Sequence, residues 1–279
     1  MISYLILRLW KSPVKKLLYC IIIFYPTLEV IFYVRDVLRG GSVFIPDYAF
    51  FLTCNSVGVG HMFQAVLLWF MPVYCLLLTA DDCINDYKTG SKNILVLKSG
   101  NKVYVKSQLI KSFFCTFTMV IVALLVNLIM VHIIFYGGKF DPYDDGVYVS
   151  DFYQWEVDFP LLANILFSLI TAFFCGLISM VGTINAICIK DRKIVYGLTM
   201  LMWFIPFLKE KSMMLLFQPH SEYVLNTLIP VGLEILLVYG IYLLYPIFFL
   251  YFFKSIVGIP GITLLCPLGS TIFTPSFAQ

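Results

Sequence analysis

The sequence predicts an all-α, polytopic membrane protein of about six transmembrane helices, with no water-soluble domain. Three observations carry this. Of its 279 residues, 61% are hydrophobic and only 13% charged, against about a quarter charged in soluble domains. The mean hydropathy is +0.91. So few charges do not cover a water-facing surface of this size. The third observation is the grouping of apolar residues into runs of the roughly 20 residues that a helix needs to cross hydrocarbon.

In chain order, "MISYLILRLWKSP" (1–13) places apolar residues opposite Arg8 and Lys11 and reads as an N-terminal interfacial helix. Spans follow near 17–34, 63–80, 109–136, 161–189, 194–208 and 231–253. The first run follows Lys15 and Lys16 and lacks a small-x-small cleavage site, so it reads as a retained span and not as a signal peptide. The fifth is short, and Pro206 and "KEK" (209–211) close it. Span four carries two small-residue rows, Ser168, Ala172, Gly176 and Thr171, Cys175, Ser179, Thr183, which predict a close packing face. Segment 209–230 is apolar and broken by Pro219, consistent with a pair of short helices, a re-entrant hairpin before the last span. The proline-rich tail (255–279) is expected at the interface. Cys20, Cys75, Cys115, Cys175 and Cys188 lie inside apolar runs and read as small packing residues; Cys54 falls alone in an outer loop.

Lys and Arg distribution sets the expected orientation. With the N-terminus inside, fourteen cations fall on the cytoplasmic side and five outside. Both termini are therefore expected in the cytoplasm of a multi-pass plasma-membrane protein. The segment 139–160 agrees, with six acids against one lysine and Tyr143, Tyr148, Tyr153 and Trp155 suited to the headgroup level. The net charge of +3 gives no sign of nucleic-acid binding.

"DDCIND" (81–86) raises an enzymatic alternative. Asp82 and Asp86 share a helix face, and such pairs hold Mg2+ and a diphosphate in membrane prenyltransferases. That chemistry needs a second acidic cluster on the same side, where Asp191 is the only remaining acid. Other catalytic patterns are missing. His61, His132 and His220 are scattered, there is no GxSxG elbow, and "GGK" (137–139) lacks the upstream glycine of a phosphate loop. The chain is thus expected not to be an enzyme, and to hold neither a metal nor a cofactor of its own.

The same stretch continues as "DYKTGSKNILVLKSGNK" (86–102). Gly90 and Ser99-Gly100 bracket a short amphipathic helix near 91–98, whose apolar residues need a cover from lipid headgroups or a partner protein. This order resembles the loop between spans two and three of type-2 ABC transporter permeases. Asp86 falls at the family's acidic position, Lys88 at a basic one, Gly90-Ser91 at Gly-Thr, and Ser99-Gly100 at Ser-Pro. Lys102 and Lys106 fall at the basic positions that open span three. Asp for Glu, Ser for Thr and Gly100 for Pro are departures.

The resemblance implies a coupling helix seated on a separate ABC ATP-binding subunit, contacted through Asp86, Tyr87, Lys88, Gly90, Ser91, Ile94, Leu95, Leu97 and Lys98. It implies two copies of that ATPase, which would carry ATP and Mg2+, and a second permease subunit, identical or related, within membrane lipids. Export of an amphiphilic substrate such as a peptide antibiotic would follow. The rival reading is an ATP-independent membrane binding or immunity protein. Glu29 in span one and Glu234 in span six are carboxylates in hydrocarbon, fitting either structural pairing or a substrate-path or gating role.

Overall fold

A computed structural model describes residues 1–41, 43–53, 60–139, 150–220 and 224–257. Regular structure among them is helical: α1 (Ile2–Lys11), α2 (Pro13–Phe24), α3 (Thr27–Leu38), a 3-10 turn (Pro46–Ala49), α4 (Gly60–Trp69), α5 (Met71–Cys75), a π-helical turn (Leu76–Ala80), α6 (Asp81–Lys88), α7 (Ser91–Ser99), α8 (Asn101–Ile134), α9 (Asp151–Asp158), α10 (Pro160–Ile189), α11 (Arg192–Phe207), a second 3-10 turn (Met213–Phe217) and α12 (Leu225–Val257). Local chemistry sets several starts. Pro13 and Pro160 open α2 and α10, where a missing N–H costs nothing. Ser150 and Asp191 cap α9 and α11 with side-chain oxygens.

Among the described residues, four helical stretches are long and apolar enough to cross a membrane: Pro13–Arg35, Asn101–Ile134, Pro160–Ile189 and Leu225–Leu244. A fifth crossing is available if Met62–Trp69 and Met71–Lys88, bent by 48°, form one broken span. The bend falls at Phe70, just before Pro72. At 1.5 Å per residue the 16-residue α11 reaches about 24 Å, short of the ~30 Å hydrocarbon core. Segment 209–220 contains one 3-10 turn, not two short helices, and α12 begins at Leu225, six residues earlier than the expected last span. The apolar side chains Met213, Leu216 and Phe217 of that turn are buried. Phe217 stacks on Trp203 of α11 (20° between rings), so this segment is covered by protein. The tail from 258, residues 140–149 and Cys54 lie outside the described residues.

The core is built on α8 and α10, which pack along much of their lengths. Both predicted small-residue rows of α10 are largely buried and face the bundle. At Gly176 an added Cβ would lie 2.8 Å from the Phe113 ring, so only glycine lets α8 approach there. One turn further, hydroxyls replace apolar contact. Thr116 donates to Ser179 at 2.9 Å, Ser179 also meets Thr79 at 3.2 Å, and Ser112 bonds Thr183. Bonds of this type between membrane helices are each modest, about 0.6 kcal/mol.

Asn127 of α8 solves a different problem. The α2–α3 helix is interrupted at Tyr25–Pro26, and Asn127 Nδ2 donates to the Pro26 carbonyl at 2.9 Å. Its Oδ1 accepts the Phe51 N–H at 3.1 Å. One buried amide thus serves two backbone groups of two other segments. Replacing Asn127 by Leu, which fills the space but bonds neither group, should cost about 1–3 kcal/mol for each group stranded. Unfolding in mixed micelles measures this; wild-type stability in the variant would refute the bridging role.

Candidate functional site

Helix α6 is the meeting point of one end of the bundle. Its three aspartates each take cations from a different element. Asp81 Oδ2 pairs with Arg192 of α11 at 2.9 Å, and its Oδ1 accepts the Tyr196 hydroxyl at 3.3 Å. Asp82 sits between Lys15 of α2 (2.6 Å) and Lys111 of α8 (3.0 Å). Asp86, with no exposed surface, pairs with Arg8 of α1 and accepts from Tyr104 at 3.2 Å and Gln108 at 3.5 Å. The lysines do double duty at the π-helical turn. Lys15 Nζ also donates to the Leu78 carbonyl at 2.9 Å and Lys111 Nζ to that of Thr79 at 3.5 Å. A π turn loosens the regular carbonyl ladder, and these ammonium groups satisfy two of its oxygens.

This geometry turns the aspartates toward protein cations. Among the described residues no three His, Cys, Asp or Glu side chains converge as a metal site.

Beyond α6, the chain reverses at Gly90 (φ 72°) and again at Gly100 (φ 82°), both left-handed positions that a side chain would strain. Between them α7 has no buried residue. Leu95 and Val96 lean on the core, while Ile94 is 59% and Leu97 87% exposed. Tyr87 and Lys88 lie exposed at the end of α6, and the Lys190 ammonium stands 4.2 Å over the Tyr87 ring. Ser91 opens α7, its hydroxyl 2.7 Å from that of Thr89; Lys98 is exposed. The predicted contact residues therefore divide. Tyr87, Lys88, Ile94, Leu97 and Lys98 present surface, whereas Asp86 anchors the loop from inside.

Sequence reasoning missed the partners of the aspartates: Arg8, Lys15, Lys111, Arg192, Tyr104, Gln108 and Tyr196. Lys111 carried a usable signal, a lysine set into the apolar run of α8, where burial demands a counter-charge. Glu29 and Glu234 part company. Glu29 is buried, its Oε1 accepting the Tyr33 hydroxyl at 3.1 Å while Oε2 has no partner among the described residues. Glu234 is half-exposed and pairs with Lys209.

The opposite end holds a further buried carboxyl. Glu156 of α9 accepts the His220 backbone N–H at 2.9 Å, and the His220 ring meets Tyr48 edge-on. Burial pushes Glu156 up to about 8 and His220 down to about 4.

Two predictions follow from these groups. Asp82→Asn leaves the fully buried Lys111 without a carboxylate and should destabilise the protein by about 3–5 kcal/mol. Lys111→Met should cost less, because Asp82 keeps Lys15; equal losses would refute the shared pairing. For Glu156, the folded protein holds a proton that the unfolded chain releases above its ordinary 4.5, so its stabilising effect is full below 4.5 and lost as pH rises to about 8. His220 acts oppositely between about 4 and its ordinary 6.5, adding stability as pH rises there. Thermal unfolding should therefore show stability falling between pH 6.5 and 8, and Glu156→Gln should flatten that decline. A variant that keeps the wild-type slope would refute the assignment.

No protein-family model matches the chain, and no solved structure does. The chain is 36% identical over 228 residues to the uncharacterized protein YybM of Bacillus subtilis (strain 168), an alignment covering 81% of this chain and 88% of that protein. At that identity and coverage, the chain belongs to the same family as YybM.

Proposed function

We propose that this chain is the membrane-spanning permease subunit of an ATP-driven exporter, working with a separate ATP-binding subunit that carries ATP and Mg2+. The observation that carries this reading is α7: a helix with no buried residue between two left-handed glycines, exposing apolar Ile94 and Leu97 and joined without slack to α6. Exposed apolar residues on a short, unburied helix call for a cover, and a groove on an ATPase subunit supplies one.

In this reading the α6–α7 end and both termini lie in the cytoplasm, which the excess of Lys and Arg at that end supports. The short α11 is the fifth of six spans, completed by the buried turn at Met213–Phe217. Closure of two ATPase subunits presses on α7. Because α6 is ion-paired to α1, α2, α8 and α11, the push reaches four elements at once and does not bend the loop alone. Two permease subunits, identical or related, would then pass an amphiphilic substrate outward. Support for an apolar moiety comes from a groove of about 580 Å³ between α8, α10 and α12, lined by Phe117, Phe152, Leu166, Phe173, Leu228 and Gly232 among others.

Affinity purification of the tagged chain in mild detergent tests the reading. Wild type should recover an ATP-binding cassette protein. Ile94→Glu with Leu97→Glu should cut that recovery at least about tenfold, a loss of 1.4 kcal/mol or more, while the variant still elutes as folded protein. A wild type that brings down no such ATPase but binds an amphiphile unaided would establish the ATP-independent binding protein instead.

A further inference from the structure

A groove of about 580 Å³ opens beside the α6–α7 junction, lined by Tyr87, Lys88 and residues 189–193, including Lys190, Arg192 and Lys193. Its acids are already committed. Asp191 caps α11 by accepting the Lys193 and Ile194 N–H groups, and the nearby Asp81 holds Arg192. Among the described residues, Lys88, Lys92, Lys190 and Lys193 pair with no carboxylate. Lys190 leans on the Tyr87 ring, and the half-buried Lys92 is held below the ordinary lysine range by its burial and then by the nearness of Lys190. Positive charges packed together in this way are costly unless an anion lies among them.

The same site continues into an apolar surface. Ile194, Leu201 and Ile205 are 57%, 60% and 58% exposed, and their spacing of seven and four residues puts them on one face of α11. This stripe begins at the groove and runs along the helix away from it. A cationic pocket at the end of such a helix, with an uncovered hydrocarbon track beneath it, matches a molecule with an anionic head and acyl chains.

We propose that the groove lined by Lys88, Lys190 and Lys193, with Lys92 near Lys190 beside it, binds the phosphate headgroup of an anionic phospholipid, whose chains lie along Ile194, Leu201 and Ile205. The inference needs no ATPase and does not rest on the proposed transport role. The lysines supply point charges for a phosphodiester, and the lipid cements the 189–193 turn to the end of α6. A soluble anion or an acidic protein surface would satisfy the lysines but leave the stripe unused.

Native mass spectrometry of the intact chain in neutral detergent, given equal phosphatidylglycerol and phosphatidylcholine with matched chains, tests it. Wild type should retain phosphatidylglycerol preferentially. Lys92→Gln with Lys190→Gln should weaken that preference by roughly fivefold for each lysine removed, the contribution of one lysine near an anionic surface. Lys190→Arg should keep it. The milder Lys88→Gln, at an exposed position, reads the same loss should the double variant fail to elute as folded protein. Equal retention of both lipids by wild type, or an undiminished preference in folded variants, overturns the proposal. So does displacement of phosphatidylglycerol by inorganic phosphate or by an acidic peptide at comparable concentration, because either would make the apolar stripe irrelevant.

Discussion

Neutralisation of the three α6 aspartates by cations from α1, α2, α8 and α11 is the constraint on which the rest of this end of the molecule depends. Charges held away from water keep their ionised forms only when paired and hydrogen-bonded. Asp86 is fully buried and Lys111 nearly so, so the helices that bring their partners have little freedom to separate. The same ammonium groups reach the carbonyls of the π-helical turn that leads into α6. Backbone irregularity and charge pairing thus meet at one place: the lysines that pair with Asp82 also donate to carbonyls of the turn.

This arrangement also explains why α7 can be so lightly held. A helix with no buried residue would be mobile on its own account, but its two glycine reversals join it to α6 on one side and α8 on the other. The hydroxyl contacts between α8 and α10, with Gly176 allowing close approach, hold the central pair together. The far end is built differently, around a Glu156 carboxyl that burial raises and a His220 imidazole that burial lowers.

How far the sequence could be read depended on the range of the interaction involved. Apolar run lengths located α8, α10 and α12, and the small-residue rows of α10 marked its packing face before any neighbour was known. Gly90 and Ser99-Gly100 located α7 to within a residue, because a helix boundary at a left-handed glycine is a local matter. The bend at Phe70, the early start of α12 and the single turn in 209–220 were not legible. Each depends on what packs against the segment: a helix pair meeting just before Pro72 bends only where neighbours accept the bend, and the turn at Met213–Phe217 is covered by Trp203.

The aspartates show the division most clearly. By itself the sequence determined that Asp81, Asp82 and Asp86 would sit on a helix leaving the apolar region, and that a short amphipathic helix would follow, since both are properties of spacing and composition. It could not assign their charge partners, which lie 78 residues from Asp86 at Arg8, 67 and 29 residues from Asp82 at Lys15 and Lys111, and at Arg192 for Asp81. Only the tertiary structure decided that, because it alone brings four distant cations to one helix. An apparent acidic cluster became the neutralised joint of the molecule, and the surface available for recognition moved to α7 and to the lysines beside it.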